Sequence, residues 1–225
     1  MDLDFLSSVS IFSDLSDSEL DNIKTLCQTR KYPKNSMIIL EEEMGDVVFI
    51  VMTGTVKITR VNDEGKEVIL AMLGSGEVFG EMAILDGESR SANALAQENC
   101  EVVTINREEF LNLIKTNNKV ALNLMTEFAV RLRKSDQQIE ALSLDDAEHR
   151  IGVSILNLAE EMGVIRKGSV TVENLPYQQD IANMAGTSRE TVSRVMKIFE
   201  ERGLITKTGH KLSIPDYAFF KRIFG

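Results

Sequence analysis

The longest uninterrupted helical pattern in the chain runs from Asn118 to Leu144. This segment contains neither Gly nor Pro and is rich in Leu, Ala, Glu, Gln, Arg and Lys, which favour helix. Its apolar positions recur at alternating steps of four and three, a pattern typical of a coiled coil. We therefore predict a helix that pairs with a second copy of the chain; a long core helix within one domain is the alternative. The stripe consists of Ala121, Met125, Phe128, Leu132, Ile139 and Leu142, with Ser135 at its one polar position.

The pattern before this helix is different. A capping box, Ser16-Asp17-Ser18-Glu19, predicts a short helix to about Gln28, and the pattern of Arg107–Lys115 predicts another. Between them, short β-rich runs alternate with turns containing Gly, Asn or Asp, which predicts a β-barrel or jelly roll. The runs are Met37–Leu40, Val47–Met52, Thr55–Val61, Glu67–Leu73, Ala92–Leu95 and Glu101–Ile105.

The segment after the long helix has the order of a winged helix-turn-helix. A helix is predicted for Asp146–Met162, followed by a short strand at Val170–Val172. Two further helices, a tight turn between them and a small hairpin complete the motif. These are Tyr177–Ala185 and Ser188–Arg202 around Gly186-Thr187, then Leu204–Thr206 and Lys211–Ile214.

We therefore predict an α+β fold in three parts. Residues 1–116 would form the roll domain, residues 117–144 the dimerisation helix and residues 145–225 the DNA-binding domain.

The distribution of charge along the chain indicates which part of it would contact nucleic acid. The 225-residue chain has a net charge of −10, but from Pro176 onward it holds eight Lys and Arg against five Asp and Glu. An acidic body with a mildly basic tail places DNA contact at the C-terminal end. No apolar run approaches the ~20 residues that span a bilayer, and the first residues lack the basic segment of a secretion signal. We expect a cytoplasmic protein without a membrane partner.

The segment from Phe79 to Ala92 carries the chemistry for a cyclic ribose phosphate. Gly80 offers a backbone N–H without a Cβ in the way, Arg90 a planar fork for a phosphate, and Ser91 a hydroxyl. Glu81 does not suit a phosphate but can accept from a ribose 2′-hydroxyl. The alternative is a capped turn in which Arg90 and Glu81 form an ion pair.

The second predicted helix of the winged motif carries a polar face suited to reading bases. Base-reading residues belong to the first turns of a recognition helix, where an Arg can donate to guanine and a Glu can accept from cytosine. The alternative is a solvated face with a Glu190–Arg194 pair. The reading face consists of Arg189, Glu190, Ser193 and Arg194; Gln178, Gln179, Lys197, Lys207 and Lys211 are placed for phosphates.

Both motifs resemble those of one family. Gly80-Glu81 followed, after eight intervening residues, by Arg90-Ser91-Ala92 resembles the phosphate-binding cassette of cyclic-nucleotide-binding domains, and Ser188–Arg194 resembles the recognition helix of the Crp/Fnr family. The resemblance implies a homodimer that binds cyclic AMP in the roll and a near-palindromic DNA site with TGTGA-like half-sites. It also implies contact with RNA polymerase.

The resemblance assigns individual roles in the effector site. Glu81 would bind the ribose, and Gly80, Arg90 and Ser91 the phosphate. Further residues would lie near the ligand on the long helix or line the pocket: Arg131, Ser135, Asp136, Leu73 and Ala71. Asp136 stands where the cyclic-AMP receptor has a small hydroxyl, which leaves the identity of the base open.

Alternative functions are a DNA-binding regulator whose roll binds another effector or none, and a cyclic-nucleotide module that acts on a protein partner. The sequence has no catalytic constellation, so we do not expect an enzyme. Cys27 and Cys100 are too few for an iron–sulfur cluster, and His149 and His210 lie outside the roll. We expect no metal, haem or iron–sulfur cofactor.

Overall fold

The computed structural model describes residues 2–225. The chain forms two compact units, one from residues up to Arg60 together with Leu70–Leu132, the other from Val61–Ile69 together with Arg133–Gly225. This division falls within the long helix. The three-part division at residues 116 and 144 remains an interpretation of the sequence.

The first unit contains most of the β-roll, which confirms the predicted fold class. Two antiparallel four-stranded sheets have the orders β1-β8-β3-β6 and β2-β7-β4-β5. The strands are β1 (Gln28–Tyr32), β2 (Met37–Ile39), β3 (Val47–Thr53), β4 (Val56–Val61), β5 (Glu67–Leu73), β6 (Val78–Phe79), β7 (Asn93–Ala96) and β8 (Cys100–Asn106).

Alternation along β3 explains the two clusters of buried side chains. Val48 and Ile50 belong to one cluster, whereas Phe49 and Val51 belong to the other. Successive side chains of a strand point to opposite faces, so an all-apolar strand serves both. Helices cover the first cluster: α1 (Leu3–Ser8), a 3-10 turn at Ser10–Phe12, α2 (Asp17–Leu26) and α4 (Arg107–Thr116). The capping box predicted at the start of α2 is present, with the Ser16 N–H donating to Glu19 at 2.8 Å.

The long helix α5 runs from Asn118 to Leu144, as the sequence predicts. The side chain of Asn117 accepts from the backbone N–H groups of Lys119 and Val120, which holds the start of the helix. Val120 and Leu124 are buried in the first cluster. Phe128, a member of the predicted stripe, packs partly against the same cluster.

The second unit contains the winged helix-turn-helix. Helix α6 (Ala147–Met162) begins at Asp146, whose side chain accepts from the N–H of His149. A four-stranded antiparallel sheet has the order β11-β12-β10-β9. Its strands are β9 (Val164–Arg166), β10 (Ser169–Val172), β11 (Thr206–Thr208) and β12 (Lys211–Ile214); the helices of the motif are α7 (Gln178–Ala185) and α8 (Arg189–Glu201).

The structure adds elements that the sequence analysis did not predict. Helix α9 (Tyr217–Phe224) follows the hairpin, and its Phe220 and Phe224 are buried, with ring centroids 6.2 and 5.2 Å from that of Phe199. Strands β1, β6 and β9 were also missed. The hairpin begins two residues later than predicted, at Thr206.

Candidate effector site and DNA interface

Two glycines create the space for the side chain of Arg90. Gly80 follows β6 with a φ of +74°, and a Cβ there would lie 2.7 Å from the Arg90 Nη1. A Cβ on Gly45 would lie 2.7 Å from the Arg90 Cζ. Helix α3 (Met82–Asp86) follows, and Gly87, in the left-handed region, ends it. Gly45 and Gly80 thus leave room for the guanidinium, and the positive φ of Gly80 is a conformation that favours glycine.

The guanidinium of Arg90 is bound by backbone rather than by Glu81. Nη1 donates to the carbonyl of Gly80, and Nη2 donates to the carbonyl of Val47 at 2.8 Å. The guanidinium also lies 5.7 Å from the centroid of the Phe49 ring. Burial lowers the pKa of Arg90, opposed by the nearby carboxylates of Asp46, Glu81 and Glu43. An arginine has five N–H donors, so two carbonyls do not exhaust its capacity.

Glu81 instead pairs with the long helix. Arg131 Nη1 donates to Glu81 Oε1 at 2.8 Å, and Arg131 Nη2 donates to the carbonyl of Val78. Glu81 is only 2% exposed, and within residues 2–225 nothing donates a hydrogen bond to its Oε2. Burial raises the pKa of Glu81, although the Arg131 charge opposes this. A buried acceptor without a donor is costly, and in a native structure such a group calls for an explanation, of which a functional role is one.

The other residues of the predicted effector site lie at different places. Ser91 is exposed, and its hydroxyl lies 3.8 Å from the sulfur of Met82. Leu73 and the partly buried Ala71 belong to the second apolar cluster of the roll. Ser135 and Asp136 are exposed on α5, in the part of the helix that belongs to the second unit.

The recognition helix α8 separates a buried face from an exposed one. The Ser188 side chain caps its start by accepting from the N–H of Thr191 at 3.2 Å. Gly186, with a φ of +57°, makes the preceding turn. The core-facing residues are Val192, Val195, Met196 and Phe199; the exposed residues are Arg189, Glu190, Ser193, Arg194 and Lys197. The pKa of Glu190 is lowered because its own backbone N–H and the Ser188 side chain donate to its carboxylate.

The residues predicted to contact phosphates differ in their exposure and in the partners that they contact. Gln178 and Lys207 are half-buried. Gln179 donates to Asn183, Lys197 lies 3.8 Å from Glu201, and Lys211 lies 2.8 Å from Glu173. A phosphate would therefore compete with carboxylates for both lysines.

Arg150 was not singled out from the sequence, yet it supports the helix-turn-helix. Its Nε donates to the carbonyl of Ala185 at 2.9 Å and its Nη1 to the carbonyl of Asp145 at 2.8 Å. It thus connects the segment after α5 with the last residue of α7, next to the turn at Gly186. No local pattern reveals this role, because the two carbonyls are 35 and 5 residues away from Arg150 along the chain.

A roll, a long helix and a winged helix-turn-helix in this order are typical of DNA-binding transcription regulators. Among the described residues, no helix combines the length and apolar character needed to cross a membrane.

Comparison with known proteins agrees with this class. Residues 29–117 match the cyclic nucleotide-binding domain family, and residues 149–223 match the Crp-like helix-turn-helix domain family. The chain is 34% identical over 213 residues to the cyclic AMP receptor protein of Thermus thermophilus, with 95% of each chain covered.

Two solved structures share the fold. FixK2 from Bradyrhizobium japonicum superposes with a TM-score of 0.77 at 23% identity, with 88% of this chain and 98% of that chain covered. The c-di-GMP responsive regulator CLP from Xanthomonas campestris superposes with a TM-score of 0.71 at 21% identity, with 88% and 99% covered.

The chain belongs to the Crp/Fnr family. It is a DNA-binding transcription regulator with a cyclic nucleotide-binding domain and is not an enzyme.

Proposed function

We propose that this protein is a homodimer that binds cyclic AMP in its roll and, in response, binds an inverted repeat of TGTGA-like half-sites. The observation that carries the proposal is the carboxylate of Glu81. Its Oε2 is buried and lacks a donor within residues 2–225, and a ribose 2′-hydroxyl is a neutral donor of suitable size. This hydroxyl would donate the hydrogen bond that Glu81 Oε2 lacks, and it would add no charge to the site.

The phosphate would bind beside this carboxylate. Arg90 is adjacent to Gly80, retains unused N–H donors and is held by two carbonyls. An Arg–phosphate contact is charge-assisted and stronger than a neutral hydrogen bond. Gly80 would contribute a backbone N–H and Ser91 its hydroxyl, while Leu73 and Ala71 would line the apolar side of the pocket.

The base would be read by Ser135 and Asp136 of the long helix. A carboxylate at position 136 accepts from the N6 amino group of adenine but repels the O6 of guanine. We therefore expect cyclic AMP to bind more tightly than cyclic GMP.

The apolar stripe on α5 supports dimerisation. Met125, Leu132, Ile139 and Leu142 are 54–63% exposed in the single chain. Leu122, outside the predicted stripe, is 61% exposed as well. Burial of these side chains against a second copy would remove a large apolar surface from water. Asp136 comes four residues after Leu132 and three residues before Ile139. This spacing places it on the same exposed face of the helix as Leu122 and Met125.

The exposed face of α8 supports specific DNA binding. Arg189 can donate twice to a guanine, and Glu190 can accept from a cytosine. In a dimer the two recognition helices would lie about one turn of DNA, ~34 Å, apart, so the site would be an inverted repeat. By family membership the DNA-bound protein would also contact RNA polymerase.

Isothermal titration calorimetry with cyclic AMP and cyclic GMP tests the effector. We expect saturable heat with cyclic AMP and weaker binding of cyclic GMP. If neither nucleotide gives heat at millimolar concentration, the effector assignment is wrong.

A second candidate is the same regulator with another effector. The carboxylate of Asp136 at the place of a small hydroxyl favours it. Saturable heat on direct titration with cyclic di-GMP, and none with cyclic AMP, would support this alternative.

A further inference from the structure

A methionine contacts the hydroxyl of Ser91, a residue of the proposed phosphate site. Met82 is the first residue of α3 and is 50% exposed. Its Sδ accepts from the Ser91 hydroxyl at 3.8 Å. A thioether is a weak acceptor, so a phosphate oxygen can take over this hydroxyl at little cost.

We propose that Met82 is a site of reversible oxidation by peroxides that lowers the affinity for the effector. This inference rests on the proposed function, because it assigns Ser91 to the effector phosphate. The sulfur attacks one oxygen of hydrogen peroxide, the O–O bond breaks, and that oxygen remains on the sulfur. The other oxygen leaves as hydroxide, which takes up the proton of the sulfur-bound hydroxyl and becomes water. The thioether loses two electrons to become a sulfoxide, and methionine sulfoxide reductases reverse the change.

The sulfoxide would compete directly with the effector. Its oxygen is a much stronger acceptor than the thioether and would hold the Ser91 hydroxyl. It would also place a partial negative charge beside the position of the effector phosphate. Both effects disfavour an anionic ligand, and neither requires the roll to unfold, because Met82 is half-exposed rather than part of the core.

Met82 shares its exposure to solvent with other methionines, and one of them, Met44, serves as a control. Met44 is 75% exposed and forms a backbone bridge with Ser89, in the same loop region, but its sulfur forms no hydrogen bond with Ser91 in the described structure. It should oxidise at least as readily. Met72 and Met196 are 0% and 2% exposed and are protected from peroxide.

The experiment compares wild type, Met82→Leu, Met44→Leu and Ser91→Ala before and after treatment with hydrogen peroxide. Peptide mass spectrometry measures oxidation at each methionine, and calorimetry measures the cyclic-AMP dissociation constant. Oxidised wild type should bind about fivefold or more weakly and should recover after treatment with methionine sulfoxide reductases. Met44→Leu should behave like wild type.

Met82→Leu should keep its affinity after oxidation, and its melting curve shows whether the other sulfoxides damage the fold. Ser91→Ala should bind more weakly at the start and should lose less affinity on oxidation than wild type, because only the effect of the sulfoxide charge remains. Equal losses in wild type and Met82→Leu, or full sulfoxide at Met82 with unchanged affinity, would overturn the inference alone. Absence of cyclic-AMP binding by the reduced wild type would overturn the proposed function and this inference together.

Discussion

Arg131 donates to one oxygen of the Glu81 carboxylate at 2.8 Å and leaves the other oxygen buried without a donor among the described residues. The arginine therefore holds the carboxylate in place from α5 while one acceptor remains available to a ligand. Because α5 also carries the exposed apolar stripe, the same helix would take part in both effector binding and dimerisation under the proposed function.

Replacement of Glu81 by Gln should weaken cyclic-AMP binding about tenfold or more, since a hydrogen bond to a charged group contributes about 1.5–3 kcal/mol. Arg131 can still donate to the amide oxygen, so the roll should remain folded. Calorimetry measures the loss. Glu127→Gln is the matched control, because Glu127 also lies 3.9 Å from Arg131; its affinity should stay within about twofold of wild type. Similar losses in both variants would mean that Glu81 acts only through Arg131.

Glu81 should also make stability depend on pH. Its pKa is raised, mainly by burial. A raised carboxyl pKa stabilises the fold below the pKa of the unfolded chain, ordinarily near 4.5, and that contribution is lost as the pH rises through the higher folded pKa. Glu81→Gln removes this loss. The melting temperature of the variant minus that of wild type should therefore increase between about pH 4 and pH 7. A difference that is constant with pH would contradict the assignment.

Leu132→Glu should disrupt the dimer. Leu132 is 63% exposed on the apolar stripe, and a carboxylate buried between two copies would cost several kcal/mol. Sedimentation velocity should show a shift toward monomer. Arg133→Glu changes the next residue, which is exposed and lies off the stripe, and should remain dimeric. A stable Leu132→Glu dimer would mean that the interface lies elsewhere.

Arg150→Gln should weaken DNA binding without changing the heat of cyclic-AMP binding. The variant loses the charged donors to the carbonyls of Ala185 and Asp145. Each of these two hydrogen bonds contributes at most about 1.5–3 kcal/mol. The turn before the recognition helix would then be less firmly positioned. Fluorescence anisotropy with a labelled duplex measures the effect, and Arg166→Gln, at an exposed position on β9, is the control. Unchanged DNA affinity would limit Arg150 to a minor structural role.

The sequence predicts elements whose signals are local. The cap at Ser188 and the spacing of Val192, Val195, Met196 and Phe199 define α8 without any tertiary contact. The strand Gln28–Tyr32 was missed because it is almost entirely exposed and polar, and only its pairing with β8 makes it a strand. Contacts between distant segments escape such analysis altogether. The Arg131–Glu81 pair joins residues 50 positions apart. The ion pair that the sequence suggests for Glu81, as the alternative to a ligand site, is with Arg90 instead.

We expect Arg189 to determine the identity of the outer base of the half-site. Arg189→Ala should cost about 1–3 kcal/mol on a TGTGA inverted repeat and little on a TTGAT repeat, because the guanidinium forks onto a guanine present only in the first. Lys211→Ala should weaken both about equally, as expected for a phosphate contact. Equal losses on both duplexes for Arg189→Ala would mean that Arg189 contacts only phosphate.

In the proposed function, cyclic AMP controls binding to a specific DNA sequence. The most direct measurement is a fluorescence anisotropy titration of a TGTGA inverted repeat at one fixed salt concentration, with and without saturating cyclic AMP. We predict that cyclic AMP increases the affinity for this duplex and has little effect on a scrambled duplex of the same length. Equal affinity for the repeat with and without cyclic AMP would contradict the account.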